Sequence, residues 1–159
     1  MKLLDKSLQR ELVQSFEDGE IIFRDGDVSQ EMYIVQKGAV KIVKEVNGRE
    51  TVIARRFRGE FIGEMALLES LPRSATALAD GKTSLVVINS GGFLQKIRRD
   101  PTFAVEMMQR LSKRFRDINQ QLLDAMAAAE KGENPFPDMA ANAESKSADL
   151  VDGKETSPR

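Results

Sequence analysis

FIGEMALLESLPRSATALA, residues Phe61 to Ala79, is the stretch on which the reading of this chain turns. A glycine precedes a carboxylate that opens a short apolar run, and Pro72, Arg73 and a series of small residues then lead back into a strand. Gly63, lacking a Cβ, lets the backbone turn sharply or approach a ligand closely. The apolar run predicts a short helix opening at Glu64. The amides of Glu64, Met65 and Ala66 would lack intrahelical partners there, and together with the helix dipole they favour an anion. Arg73 stands nine residues after Glu64, far enough for a turn or two of helix to fold back and bring both side chains into one pocket. Its planar fork suits two phosphate oxygens, with charge-assisted hydrogen bonds worth about 1.5 to 3 kcal/mol each, and Ser74 can add a hydroxyl donor. A carboxylate beside a phosphate is repelled unless it has another task, such as accepting a hydrogen bond from a sugar hydroxyl. Phosphate for Arg73 and hydroxyl for Glu64 together describe a nucleotide.

Outward from this stretch, Gly19 to about Asn89 holds short runs rich in Ile, Val and Phe, punctuated by Gly19, Gly26, Gly38, Gly48, Gly59, Gly63 and Gly81, the texture of short strands and tight turns. AVKIVKEV, then Asn47-Gly48, then RETVIARRF predicts a hairpin on a type I′ turn. Several strands of this length cannot cover their apolar faces as one open sheet, so the fold class expected is mainly β with flanking helices: a sandwich or jelly-roll β-barrel, with an N-terminal helix and a long C-terminal helix. Leu4, Leu8, Leu12 and Phe16 recur every fourth residue and predict the N-terminal helix over 3–16. Ser90 is the expected N-cap of a short helix through Phe93, Leu94 and Ile97, with Gly91-Gly92 weakening its first turn. Asp100-Pro101 starts a longer one, to about Glu130. Met108, Leu111, Phe115, Ile118, Leu122 and Ala125 follow alternating three- and four-residue steps along it. That is the seam of a coiled-coil homodimer, or else a stripe packed on the chain's own barrel, with Phe103 to Leu111 expected to pack within the chain. The domain is expected to occupy 1–131, and 132–159, poor in periodicity, to form a disordered tail.

Composition narrows the chemistry. The chain has 159 residues, 41% of them hydrophobic and 31% charged, enough for one globular core. It has no cysteine and no histidine, which removes disulfides, thiolate chemistry, Cys/His zinc sites, histidine-ligated haem and histidine-based catalytic triads. Glu64 has no paired acid at useful spacing, so neither an enzyme nor a metal or other cofactor is expected. The formal net charge is −1, and the basic clusters Arg55-Arg56-Arg58, Lys96-Arg98-Arg99 and Lys113-Arg114-Arg116 read as solvated faces or helical charge partners. Without interleaved aromatics they do not suggest a nucleic-acid partner. The N-terminal segment meets Asp5, Lys6, Arg10 and Glu11 before any apolar run of signal-peptide length. No stretch approaches the roughly 18 apolar residues of a membrane span. The expectation is a soluble cytoplasmic protein without membrane insertion.

Gly26-Asp27, MYIVQKG, RGEFIGEMALL and PRSATALA occur in that order, and in this the chain resembles the cyclic nucleotide-binding domain family, which includes the regulatory subunits of cyclic-nucleotide-dependent kinases, gated ion channels and the bacterial catabolite activator protein. The resemblance runs from about Phe16 to Gln121. It implies that Gly63 to Ala66 supply backbone amides and apolar wall, that Glu64 accepts from a ribose 2′-hydroxyl, and that Arg73, assisted by Ser74, clamps a cyclic phosphate. It implies a base pocket lined by Ile53 and Ala54 and closed by the C-terminal helix, where Asn119 would reach the base edge. cAMP is favoured over cGMP, because the family's cGMP-selective sites often place threonine after the arginine, where this chain has Ser74. The winged helix-turn-helix of the activator-type relatives and the second nucleotide domain of the kinase subunits have no counterpart in this sequence. A stand-alone sensor is therefore expected, acting through its C-terminal helix on a downstream protein that the sequence does not identify. The competing reading is a chain that keeps the fold without the ligand, Arg73 pairing with Glu64, and serves as a dimerisation or docking module.

Overall fold

The Asn47-Gly48 step turns a hairpin as its sequence predicts. Asn47 has φ +52° and Gly48 φ +75°, the two left-handed positions a type I′ turn requires. It joins the two strands of a larger arrangement in a computed structural model that describes residues 12–132. In chain order these residues form strands β1 (Val13–Phe16), β2 (Ile21–Phe23), β3 (Glu31–Val46), β4 (Arg49–Phe57) and β5 (Phe61–Ile62), helix α1 (Glu64–Glu69), strand β6 (Thr76–Asn89), and helices α2 (Ser90–Arg99) and α3 (Pro101–Glu130).

The long strands β3 and β6 pair antiparallel over most of their length, from Glu31↔Asn89 to Val43↔Thr76. Each strand serves two layers. The first half of β3 meets β5 through Tyr33↔Ile62, while the matching half of β6 meets β1 through Val13↔Val86 to Phe16↔Thr83. The second half of β3 meets β4, and the matching half of β6 meets β2 through Ile21↔Leu78 and Phe23↔Ala77. The result is two four-stranded layers, β1-β6-β3-β5 and β2-β6-β3-β4, which is the jelly-roll arrangement expected. Between the halves, register shifts at Lys37 interrupt the β3–β6 ladder. Thr83 repairs the interruption from inside: fully buried, its hydroxyl lies 2.8 Å from the Ala39 carbonyl and 3.0 Å from that of Gly81. The alternating apolar residues of both layers meet in a core of Phe23, Tyr33, Val35, Val40, Ile62, Ala77, Leu85 and Val87, with Phe16, Ile22 and Ile42 against it. Each larger side chain there contributes about 1.5 to 3 kcal/mol on burial.

Two expectations are corrected at helix ends. Residues 13–16 are strand, not the end of a helix over 3–16: they pair with β6, and Phe16 packs against the core. Backbone pairing to β6 and that burial outweigh a helical spacing that ends at Phe16; residues 1–11 lie outside those described. The cap of α2 is Asn89 and not Ser90, since Asn89 Oδ1 accepts the Gly92 amide at 2.8 Å. The Asp100-Pro101 start stands as read, with Asp100 accepting the Thr102 amide at 3.1 Å as well as the Thr102 hydroxyl. Phe93 of α2 and Phe103 of α3 are buried edge to face, 6.0 Å apart, and Met107 is buried one turn on.

The chain divides into two compact units, Met1–Arg110 and Leu111–Arg159. Of the second, the described residues are the remainder of α3 and the turn after it. Along the anticipated seam Phe115, Ile118 and Leu122 are 66%, 55% and 57% exposed, and Ala125 is buried. Apart from Gly132, the anticipated tail 132–159 lies outside the described residues.

Candidate functional site

The site is built around a short backbone bridge. The Gly26 amide donates to the Arg73 carbonyl at 2.8 Å, and the Arg73 amide donates to the Asp27 carbonyl at 2.9 Å. The Arg24–Asp27 turn is closed by its own aspartate, whose carboxylate accepts the Arg24 amide at 2.8 Å. The turn is also fastened to the residues after Arg73. The Asp25 amide donates to Thr76 Oγ1 at 3.0 Å, while Lys44 Nζ lies 2.7 Å from both the Asp25 carboxylate and the Ser74 carbonyl. These contacts place the base of the Arg73 side chain before any ligand is considered.

The side chain itself is 3% exposed. Its Nε donates to Ser29 Oγ at 2.9 Å and Nη1 to the Gly63 carbonyl at 2.9 Å. One face of the guanidinium lies over Phe23, with Cζ 4.2 Å from the ring centroid, and Tyr33 stands beside it at 5.9 Å. Nη2 is buried and has no hydrogen-bond partner among the described residues. Burial lowers the Arg73 pKa below its ordinary value, opposed by Tyr33, Glu31, Asp27 and Glu64. Guanidinium nevertheless stays charged in proteins, so a buried cation with a spare donor is a site that an anion completes.

Gly63 is required here twice. Its φ of +77° is left-handed, and a Cβ would collide with Arg73 Nη1 and come within 3.1 Å of the Glu31 carbonyl. Glu64, 6% exposed, opens α1 directly after it, and no side chain caps that helix. Ala66 and Leu67 are buried, whereas Met65 and Leu68 are exposed. A six-residue helix on this surface buries one side only. Tyr33 donates its hydroxyl to Glu31 at 3.2 Å, and its pKa is pushed up to about 12, by burial first and then by Glu31.

Of the residues singled out from sequence, Gly63 and Glu64 come together with Arg73, and Ala66 is buried in the first turn of α1. Ser74 follows Arg73 but is exposed, and its carbonyl is taken by Lys44. Ala54 pairs with Ile42, which pairs on its other side with Ala77, so the three form one row across the sheet. Ile53 is the extra residue of a bulge in β4 and is exposed. Asn119 is an exposed residue of α3 in the second unit. Sequence reasoning missed Ser29, Phe23 and the position of Tyr33 beside the guanidinium. Tyr33 at least lies in the quoted MYIVQKG run, whereas nothing in the local sequence marks Ser29.

Residues 13–100 match the family model described as the cyclic nucleotide-binding domain. The cAMP-dependent protein kinase regulatory subunit of Mucor circinelloides f. lusitanicus is 32% identical over 107 residues, 67% of this chain and 24% of that protein. The cyclic AMP receptor protein of Thermus thermophilus is 34% identical over 108 residues, 67% of this chain and 50% of that protein. Among solved structures, the catabolite activator protein of Thermus thermophilus superposes with a TM-score of 0.67 at 32% identity, over 76% of this chain and 57% of that one. The chain thus spans no more than half the length of these two curated relatives. With a two-layered antiparallel barrel, a buried arginine against the glycine before α1, and a matched span of more than half its length, this chain belongs to the cyclic nucleotide-binding domain family.

Proposed function

We propose that the chain is a non-catalytic cytoplasmic receptor for a cyclic nucleotide, cAMP in preference to cGMP, and that occupancy of its site shifts α3. The observation that carries this reading is Arg73 Nη2, a buried donor on a fixed guanidinium with no partner among the described residues. A cyclic phosphate supplies the single negative charge and the oxygen acceptors that this group lacks. Glu64, buried beside it, is assigned the ribose 2′-hydroxyl. The Gly63–Ala66 backbone and Ser74 are assigned to the phosphate, Ile53 and Ala54 to the wall of the base pocket, and Asn119 to the base edge. The preference for cAMP rests on Ser74 after the arginine and is supported by the two curated relatives, whose names both refer to cAMP.

Output requires a shift of equilibrium, limited to the difference in ligand affinity between the two positions of α3. We assign the exposed apolar seam of that helix to a homodimer, which would turn the shift into a change between two chains and present it to a downstream protein. The test is isothermal titration with cAMP and with cGMP, after mass spectrometry has shown that no nucleotide copurifies. Binding of one cAMP per chain, tighter than cGMP, is expected, with thermal stabilisation approaching about 2.7 kcal/mol at a hundredfold excess over Kd. Absence of heat and of stabilisation with either nucleotide would overturn the receptor reading and favour a ligand-free docking module.

A further inference from the structure

We infer that Ser29 is a further ligand-binding residue: its hydroxyl holds Arg73 Nε and gives its own proton to the phosphate that Nη2 binds. The inference rests on the proposed function and concerns a residue to which that reading assigns no role. A guanidinium has a side-on edge where Nε–H and one N–H of Nη2 run parallel, the edge that clamps two oxygens of one anion. Here Ser29 Oγ, 2.9 Å from Nε, occupies one of those two acceptor positions. The Gly63 carbonyl holds Nη1, and the Phe23 ring covers one face. Nη2 is the guanidinium nitrogen without a partner among the described residues, and is assigned to the anion.

An acceptor on the Nη2 N–H that runs parallel to Nε–H stands next to Ser29 Oγ. A serine hydroxyl that accepts one hydrogen bond still has a proton to donate, and no acceptor for it is found among the described residues. The nearest new acceptor would be the phosphate itself. Ser29 is half-buried, and it follows by two residues the Arg24–Asp27 turn that is bridged to the Arg73 backbone. Its hydroxyl is thus placed by the same contacts that place the guanidinium, and the two donors reach the anion as a preset pair.

A serine that only propped Arg73 would also weaken binding when removed, so the decisive test is stereochemical. Wild-type protein and Ser29→Ala are titrated with the cyclic nucleotide that the wild type binds and with its two phosphorothioate diastereomers, in each of which sulfur, a poor acceptor, replaces one exocyclic oxygen. The alanine variant is expected to bind the parent nucleotide about tenfold more weakly, or about 1.4 kcal/mol. It should lose about as much with one diastereomer and little with the other, whose sulfur has already removed the Ser29 bond. Ser29→Thr, which keeps the hydroxyl, should restore most of the affinity, and melting temperatures should stay within a degree or so of wild type. Equal losses for all three ligands, or no loss at all, would overturn the donation by Ser29 while leaving the receptor reading intact. Wild-type protein that binds neither cAMP nor cGMP would overturn both.

Discussion

Arg73 has two restrained donors, a covered face and one spare donor group, and that combination sets what its loss would cost. Arg73→Ala is expected to weaken cyclic nucleotide binding by about 2 to 5 kcal/mol, because a bound phosphate would be left without its buried partner. Arg73→Lys should recover little, since an ammonium cannot satisfy Ser29, Gly63 and the phosphate through one planar fork; titration of both variants checks this. Tyr33 gives a second prediction. It is the chain's sole tyrosine, so its phenolate absorbance can be followed without overlap. Its midpoint should lie near pH 12 in the folded protein and near 10 in urea. Because the folded phenol keeps its proton to higher pH, this group's contribution to stability is whole below pH 10 and is lost between 10 and about 12. Tyr33→Phe should flatten that part of the stability profile, and an unchanged profile would remove Tyr33 as its cause. At this scale Glu64 and Arg73 were legible because one short run holds both. Ser29 was not, because it meets Arg73 across 44 residues of chain, a separation over which local pattern says nothing.

The elements depend on a few polar groups placed where regular pairing fails. Thr83 is the strongest case, a fully buried hydroxyl serving carbonyls beside the β3–β6 register shift. Thr83→Val keeps the shape and removes the donor, leaving a half-buried carbonyl short of a donor. A loss of about 1 to 3 kcal/mol in urea unfolding is expected, and a change below about half a kcal/mol would show that the bend does not need it. The β3–β4 hairpin could be read in advance because Asn47-Gly48 is a local instruction: two adjacent residues that tolerate positive φ. The strand at Val13–Phe16 could not be. Four residues are too few to show alternation, and Leu4, Leu8, Leu12 and Phe16 offered a longer pattern of the wrong period. What decides the matter is the neighbouring strand β6, which no window around residue 13 contains. The Asn89 cap of α2 was missed by one position for a related reason, since either Asn89 or Ser90 satisfies the capping preference and only the path of β6 selects between them.

For the molecule as a whole, the barrel was legible because glycine punctuation, strand length and the need to cover two apolar faces leave few architectures for a chain of this size. The exposed face of α3 is what that logic leaves over. Phe115, Ile118 and Leu122 keep more than half of their surface in water, and with the half-buried Leu111 they follow the spacing of a two-stranded coil. Their burial against a second copy is set against an association cost of about 4 to 15 kcal/mol, so three or four side chains per chain leave only a small net gain. The expected outcome is therefore a concentration-dependent dimer and not an obligate one. Sedimentation velocity over a range of concentrations should show the wild type passing from monomer to dimer. Ile118→Glu combined with Leu122→Glu should stay monomeric at every concentration, with the helix signal of circular dichroism retained. If the dimer couples to the site, saturating cAMP should move the wild-type midpoint, and by linkage the monomeric variant should bind cAMP with a correspondingly altered Kd. A wild type that remains monomeric throughout, with and without nucleotide, would remove the seam as an interface and direct the search for the partner of α3 to another protein.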